Sequence, residues 1–151
     1  MCGIAGILDL QERPVSPGAL RKMVDVQAHR GPDGEGMWID GHVGLGHRRL
    51  SIIDLSQAGH QPMASHDGRF LLTFNGEIYN YVELKNELPA QAWRGSSDSE
   101  VLLAAYEEWG TGCLRKLNGI FAFAIWDKEK RELFCARDHV GVKPFYYAVH
   151  D

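Results

Sequence analysis

No stretch of the chain approaches the run of about 20 apolar residues that spans a bilayer, and the N-terminus lacks the basic and long apolar regions of a secretory signal. A cytoplasmic protein is expected, with no membrane partner. Cysteine is scarce. Cys2, Cys113 and Cys135 are odd in number, widely spaced and without a CxxC pair, which excludes a disulfide framework and fits a reducing compartment. Cys113 and Cys135 stand among apolar neighbours and read as core residues. The seven histidines form no HExxH pattern or short pair, so no metal site is expected. The net charge of -4 lacks the basic excess that draws a protein to nucleic acid.

What is present suits one globular domain: 151 residues, 44% of them hydrophobic, are enough for a sizeable core. Within it, Cys2 stands out. Excision of Met1 would leave a thiol and a free α-amine on one residue, the amine with a reference pKa of about 7.7 to 8.0. A single residue would then hold both nucleophile and base, the logic of an N-terminal nucleophile enzyme. The same cysteine also reads as a small buried residue near a strand end. Gly3 and Gly6 among Ile4, Ala5, Ile7 and Leu8 predict a buried first strand that lets other backbone come close.

Ser16 as N-cap and Pro17 at the first helical position open a helix expected to end near His29. Strands are predicted over 37–39, 43–47 and 50–53, with Asp40-Gly41 as a hairpin turn, and a loop over 54–66. A strand over 69–74 is expected to stop at Asn75-Gly76. Helices follow over 80–88 and from a capping box, Ser97 to Glu100, as far as Trp109. Strands over 120–126, 131–136 and 142–149 complete the pattern. Antiparallel hairpins with helices in two separate blocks imply an α+β layered fold rather than βαβ units.

Four segments carry the chemistry: Met1-Cys2-Gly3-Ile4-Ala5-Gly6, Arg30-Gly31-Pro32-Asp33, Arg49-Leu50-Ser51-Ile52 and Asn75-Gly76-Glu77-Ile78-Tyr79-Asn80. Ser97-Asp98-Ser99-Glu100 and Arg137-Asp138 extend the set. In this order and spacing they resemble the N-terminal glutaminase domain of glutamine-hydrolysing asparagine synthetases, over nearly the whole chain. The resemblance implies a four-layer α-β-β-α sandwich of the N-terminal nucleophile hydrolase type. It also implies hydrolysis of the L-glutamine side-chain amide through a thioester on Cys2. Asn75 and the Gly76 N–H would stabilise the oxyanion, although Asn-Gly alone also reads as a hairpin turn.

Recognition of a free amino acid needs a cation for its carboxylate and an anion for its ammonium. Arg49 and Asp98 would supply them, a guanidinium binding carboxylate through two parallel hydrogen bonds. Arg48 would face the other way on a strand. By the resemblance, Leu50, Ser51, Ile52 and Ile53 continue one wall of the pocket and Asn75, Gly76 and Glu77 form another. Glu77 either accepts from substrate or holds the loop, and Arg30 and Asp33 are assigned to structure near Cys2.

The stretch Gly95 to Ser99 matches no phosphate-binding loop, and the Ser-Gly-Gly-x-Asp signature of the family's synthetase domain is absent. ATP and Mg are therefore expected only in a synthetase domain outside this chain, in cis or in trans, and no cofactor for the glutaminase reaction. The chain ends at Asp151 before the family's domain would be complete, so a truncated sheet is expected. Three readings stay open: a glutaminase feeding a synthetase, a glutamine-binding sensor or scaffold with little turnover, and a glutaminase of another N-terminal nucleophile amidotransferase. A homodimer is left open as well.

Overall fold

The computed structural model describes residues 1–89 and 92–150; the expected domain end at Asp151 lies outside the described residues. Two antiparallel sheets carry the fold. The first, in the order β1-β3-β2, joins Gly3–Leu8, Val43–Arg49 and Gly34–Asp40, with Gly41 at φ +55° in the predicted hairpin turn. The second, β4-β5-β6-β7, joins Met63–Ala64, Phe70–Ile78, Gly119–Asp127 and Glu132–Arg137. Helix α1 (Pro17–Asp25) covers the first sheet, and α2 (Tyr81–Glu87) and α3 (Asp98–Trp109) cover the second.

Three apolar clusters fill the three seams between these layers. Leu20 and Val24 of α1 meet Ala5 of β1, and Gly46 on β3 leaves that helix room because a Cβ there would collide with Val24. Between the sheets lie Val43, Leu45, Leu71 and Trp126. The largest cluster packs Leu72, Phe74 and Phe123 against Leu102 and Leu103 of α3. The α-β-β-α order follows from the period of two along each strand, which sends alternate residues into different seams.

Several boundaries differ from the sequence reading. Helix α1 stops at Asp25, because the Gln27 amide donates to Met23 O and Ile4 O and ties the helix end to β1 before a 3-10 turn at Ala28–Arg30. Residues 50–53 form no strand; their amides turn to Cys2 and Asp33, and Ile52 faces solvent. Strand β5 runs straight through Asn75-Gly76 to Ile78. The Ser97 hydroxyl accepts from Glu100 N at 3.3 Å, but the Glu100 carboxylate turns to Arg94 N and Gly95 N, so the capping box is not reciprocal. No strand forms over 142–149, where Tyr146, Tyr147 and Val149 are exposed. Cys113 is buried as expected, whereas Cys135, on β7 at the sheet edge, is exposed. No helix among the described residues is long and apolar enough to cross a membrane.

Candidate active site

Strands β3 and β5 face each other across the seam between the sheets, and their contacts change character along its length. Leu45 and Leu71 fill the apolar end. Next come two polar rungs: the Thr73 hydroxyl donates to Gly46 O at 3.1 Å, and His47 Nε2 meets Phe74 O at 3.0 Å. One step further the packing opens into a cleft of about 670 Å³, counted with the solvent at its mouth.

The register of β1 on β3 brings Cys2 to this opening. Gly3 pairs with Arg48, so one further step sets Cys2 across from Arg49. The alternation that sends Ala5 toward α1 turns Cys2 toward the second sheet. Leu50 N–H donates to the Cys2 sulfur at 3.3 Å, and the sulfur lies 3.6 Å from Leu50 O. Arg30 Nε donates to Cys2 O at 3.1 Å. Asp33 completes the frame by accepting from Ser51 N at 2.8 Å, while its own N–H donates to Arg49 O.

The ten residues singled out from the sequence all line this one cleft: Cys2, Arg49, Leu50, Ser51, Ile52, Ile53, Asn75, Gly76, Glu77 and Asp98. Arg49 is buried and donates to the carbonyls of Asp54 and Ser56, the latter at 2.7 Å. Of the five N–H groups of a guanidinium, two thus hold the loop and three remain. Arg48 faces away, as expected, and pairs with Asp25 and Glu35.

Asn75 is buried, and its side-chain amide makes no hydrogen bond among the described residues. Gly76 owes its place to crowding, since a Cβ would meet Ile120 O and Phe121. The direction of its N–H follows from its neighbours two residues away. Phe74 N donates to Gln61 Oε1 at 2.7 Å and Ile78 N to Asp98 Oδ2 at 2.9 Å, both on the side of β5 away from β6. By the alternation of an antiparallel strand, Gly76 N–H points the same way, into the cleft.

Asp98, at the start of α3, is buried, and that desolvation raises its pKa to about 6. The Ile78 N–H counteracts the shift, and the charge of Glu77 adds to it.

Sequence reasoning missed Asp54, Gln61 and Lys143, which also line the cleft. Asp54 accepts from Ser56 and from Ser96 N, which joins the two loops behind Arg49 and holds its carboxyl at about 2. The Asp-x-Ser spacing was its one signal. Lys143 is brought in by Asp138, whose carboxylate accepts from Phe121 N, Val142 N and Lys143 N. Burial would raise the Asp138 pKa, but these amides outweigh it and hold it at about 2. Lys143 Nζ lies 2.9 Å from the Met1 sulfur, and Met1 itself occupies part of the cleft wall. Among the described residues, no three His, Cys, Asp or Glu side chains come together as a metal site.

The sequence profile of the glutamine amidotransferase domain matches residues 1–151. The chain belongs to that family. As a glutamine amidotransferase domain it is 44% identical to asparagine synthetase [glutamine-hydrolyzing] 3 of Bacillus subtilis strain 168, over 97% of this chain and 25% of that protein. It is 41% identical to a putative asparagine synthetase [glutamine-hydrolyzing] 2 of Methanocaldococcus jannaschii, over 97% of this chain and 32% of the relative. The chain therefore spans about a quarter to a third of the length of these relatives. The domain shares its fold with the glutamine phosphoribosylpyrophosphate amidotransferase of B. subtilis, with a TM-score of 0.75 and 22% identity, covering 91% of this chain and 37% of the other.

Proposed function

We propose that the chain is the glutaminase unit of an asparagine synthetase-like enzyme, hydrolysing L-glutamine to glutamate and ammonia through Cys2. The observation that carries this reading is the convergence of Cys2, Asn75, the Gly76 N–H, Arg49 and Asp98 on one cleft at the open end of the inter-sheet seam.

Excision of Met1 clears the cleft wall and frees the α-amine of Cys2. That amine takes the thiol proton, and the sulfur attacks the side-chain amide carbon of glutamine. Negative charge develops on the amide oxygen, where the Asn75 side-chain N–H and the Gly76 N–H donate to it. The ammonium of Cys2 returns its proton to the departing nitrogen, ammonia leaves and a thioester remains. Water, deprotonated by the same amine, then attacks the thioester; glutamate departs and the thiol re-forms. The free N–H groups of Arg49 bind the substrate α-carboxylate and Asp98 its ammonium, while residues 50–53 and Glu77 wall the pocket.

The glutaminase step uses no cofactor. A synthetase domain, in cis or in trans, uses ATP and Mg and takes the ammonia for amidation of aspartate or another carboxylate, in the cytoplasm. The names and greater length of the relatives support a synthetase partner for the ammonia.

Intact mass spectrometry combined with glutamate release tests the reading. The active chain lacks Met1 and Cys2→Ala releases no glutamate. Turnover that survives Cys2→Ala, or that requires a retained Met1, rules the mechanism out.

A further inference from the structure

Strand β4 pairs with β5 only at Leu72 and Leu71, so it ends before the part of β5 that borders the cleft. Two side chains replace it at the next same-side residue. Gln61 Oε1 accepts from Phe74 N at 2.7 Å, and His47 Nε2 lies 3.0 Å from Phe74 O. A carbonyl can only accept, so Nε2 carries the ring hydrogen and donates it. Both side chains are buried, and His47 Nδ1 has no partner among the described residues. Among the described residues Phe74 is thus the ring's one hydrogen-bond partner. We propose that His47 and Gln61 are positioning residues: by gripping both backbone polar groups of Phe74, they fix Asn75 and Gly76 in the geometry the oxyanion requires. The proposal rests on the glutaminase reading above.

Side chains do here what a longer β4 would not. An extended strand would pair with Gly76 as readily as with Phe74 and consume the N–H that points into the cleft. Two side chains satisfy Phe74 alone and leave the next donor open. The grip is also constant near neutral pH, because burial, with the charges of His60 and Arg49 adding to it, lowers the His47 pKa to about 4 and keeps the ring neutral. Displacement of a catalytic group by about 1 Å costs roughly 100-fold in rate, so a loosened Phe74 is expected to reach the chemistry without touching substrate binding.

The test combines steady-state glutaminase kinetics with peptide hydrogen exchange over residues 72–78 in His47→Leu, His47→Gln, Gln61→Met and Gln61→Glu. His47→Leu and Gln61→Met are expected to lower kcat about tenfold or more while KM for glutamine stays within about twofold. His47→Gln restores a donor and Gln61→Glu keeps an acceptor, so each recovers most of kcat relative to its apolar counterpart. Exchange at Phe74 speeds up in Gln61→Met. A folded His47→Leu or Gln61→Met with wild-type kcat overturns the proposal, as does a loss confined to KM or an equal loss in the paired conservative variant. If His47→Leu does not fold, the two Gln61 variants decide the matter alone. A wild-type chain that releases no glutamate overturns the glutaminase reading and the positioning role with it. Unchanged exchange in Gln61→Met, with wild type active, overturns the grip alone.

Discussion

The backbone N–H of Leu50 donates to the sulfur of Cys2 at 3.3 Å, linking residues 48 positions apart in the chain. It is one of three points that hold the segment beyond β3, with Ser51 N on Asp33 and the Arg49 guanidinium on the carbonyls of Asp54 and Ser56. Asp33→Ala releases the second point. Its expected cost is about 1 to 2 kcal/mol of stability and a fall in kcat/KM for glutamine, read by calorimetry and initial rates. An unchanged kcat/KM would show that the segment holds without Asp33.

Asn75 and Arg49 should separate in kinetics. On the proposed mechanism Asn75→Ala removes a donor engaged only as charge develops, so kcat is expected to fall about 100- to 1,000-fold with KM little changed. Arg49→Ala is expected to act mainly through KM. Arg49→Lys should not rescue it, because an ammonium on a flexible stem replaces neither the fork nor the two loop contacts. Initial rates over a glutamine series distinguish the two patterns, and the reverse pattern would exclude both roles.

The pH dependence of substrate binding should follow Asp98. Its pKa, raised to about 6 mainly by burial, leaves the carboxyl increasingly neutral as pH falls through that value. If Asp98 holds the substrate ammonium as proposed, a neutral carboxyl releases it, so KM is expected to rise below about pH 6, where an ordinary aspartate would stay charged. The same shift has an opposite sign for folding: the folded state binds the Asp98 proton more tightly, so this residue's contribution to stability falls as pH rises from about 4 to 6. In Asp98→Asn the KM rise with acid is expected to disappear, read from initial rates across a pH series beside wild type; a rise that persists in the variant would exclude the role.

Asp138 acts in the other direction. Its folded pKa of about 2 lies below the ordinary value of 3.8, so its stabilisation is present above about pH 4 and is lost as pH falls toward 2. Asp138→Ala leaves the amides of Phe121, Val142 and Lys143 without their acceptor. A loss of at least about 3 kcal/mol at neutral pH is expected, with a flatter acid limb, both read from thermal unfolding across a pH series.

Much of the architecture could be read from local chemistry. Ser16-Pro17 and Asp40-Gly41 mark true element ends, because the Ser16 side chain accepts from the first turn of α1 and Gly41 takes the positive φ of the hairpin turn. Asn75-Gly76 misled because the same dipeptide that makes a turn also fits a strand whose neighbour stands too close for a Cβ; there the demand comes from Ile120 and Phe121, far along the chain. The apolar run over 50–53 misled for a related reason. Its amides find Cys2 and Asp33 rather than a neighbouring strand. The residues lining the cleft were legible where motifs grouped them, as at Arg49 to Ile53. Gln61 and His47 were not, since the pairing of β4 with β5 brings Gln61, and the packing of β3 on β5 brings His47, to the same peptide.

The single open donor at Gly76 has one more effect. An exposed strand edge invites a strand from another molecule, and a row of free amides at a wide cleft would be an aggregation hazard. Here Phe74 is occupied on one side and Ile78 on the other, by Gln61, His47 and Asp98. A foreign strand finds one available rung and no ladder. The protein can therefore keep an unpaired backbone donor facing the cleft and still resist self-association through the same edge.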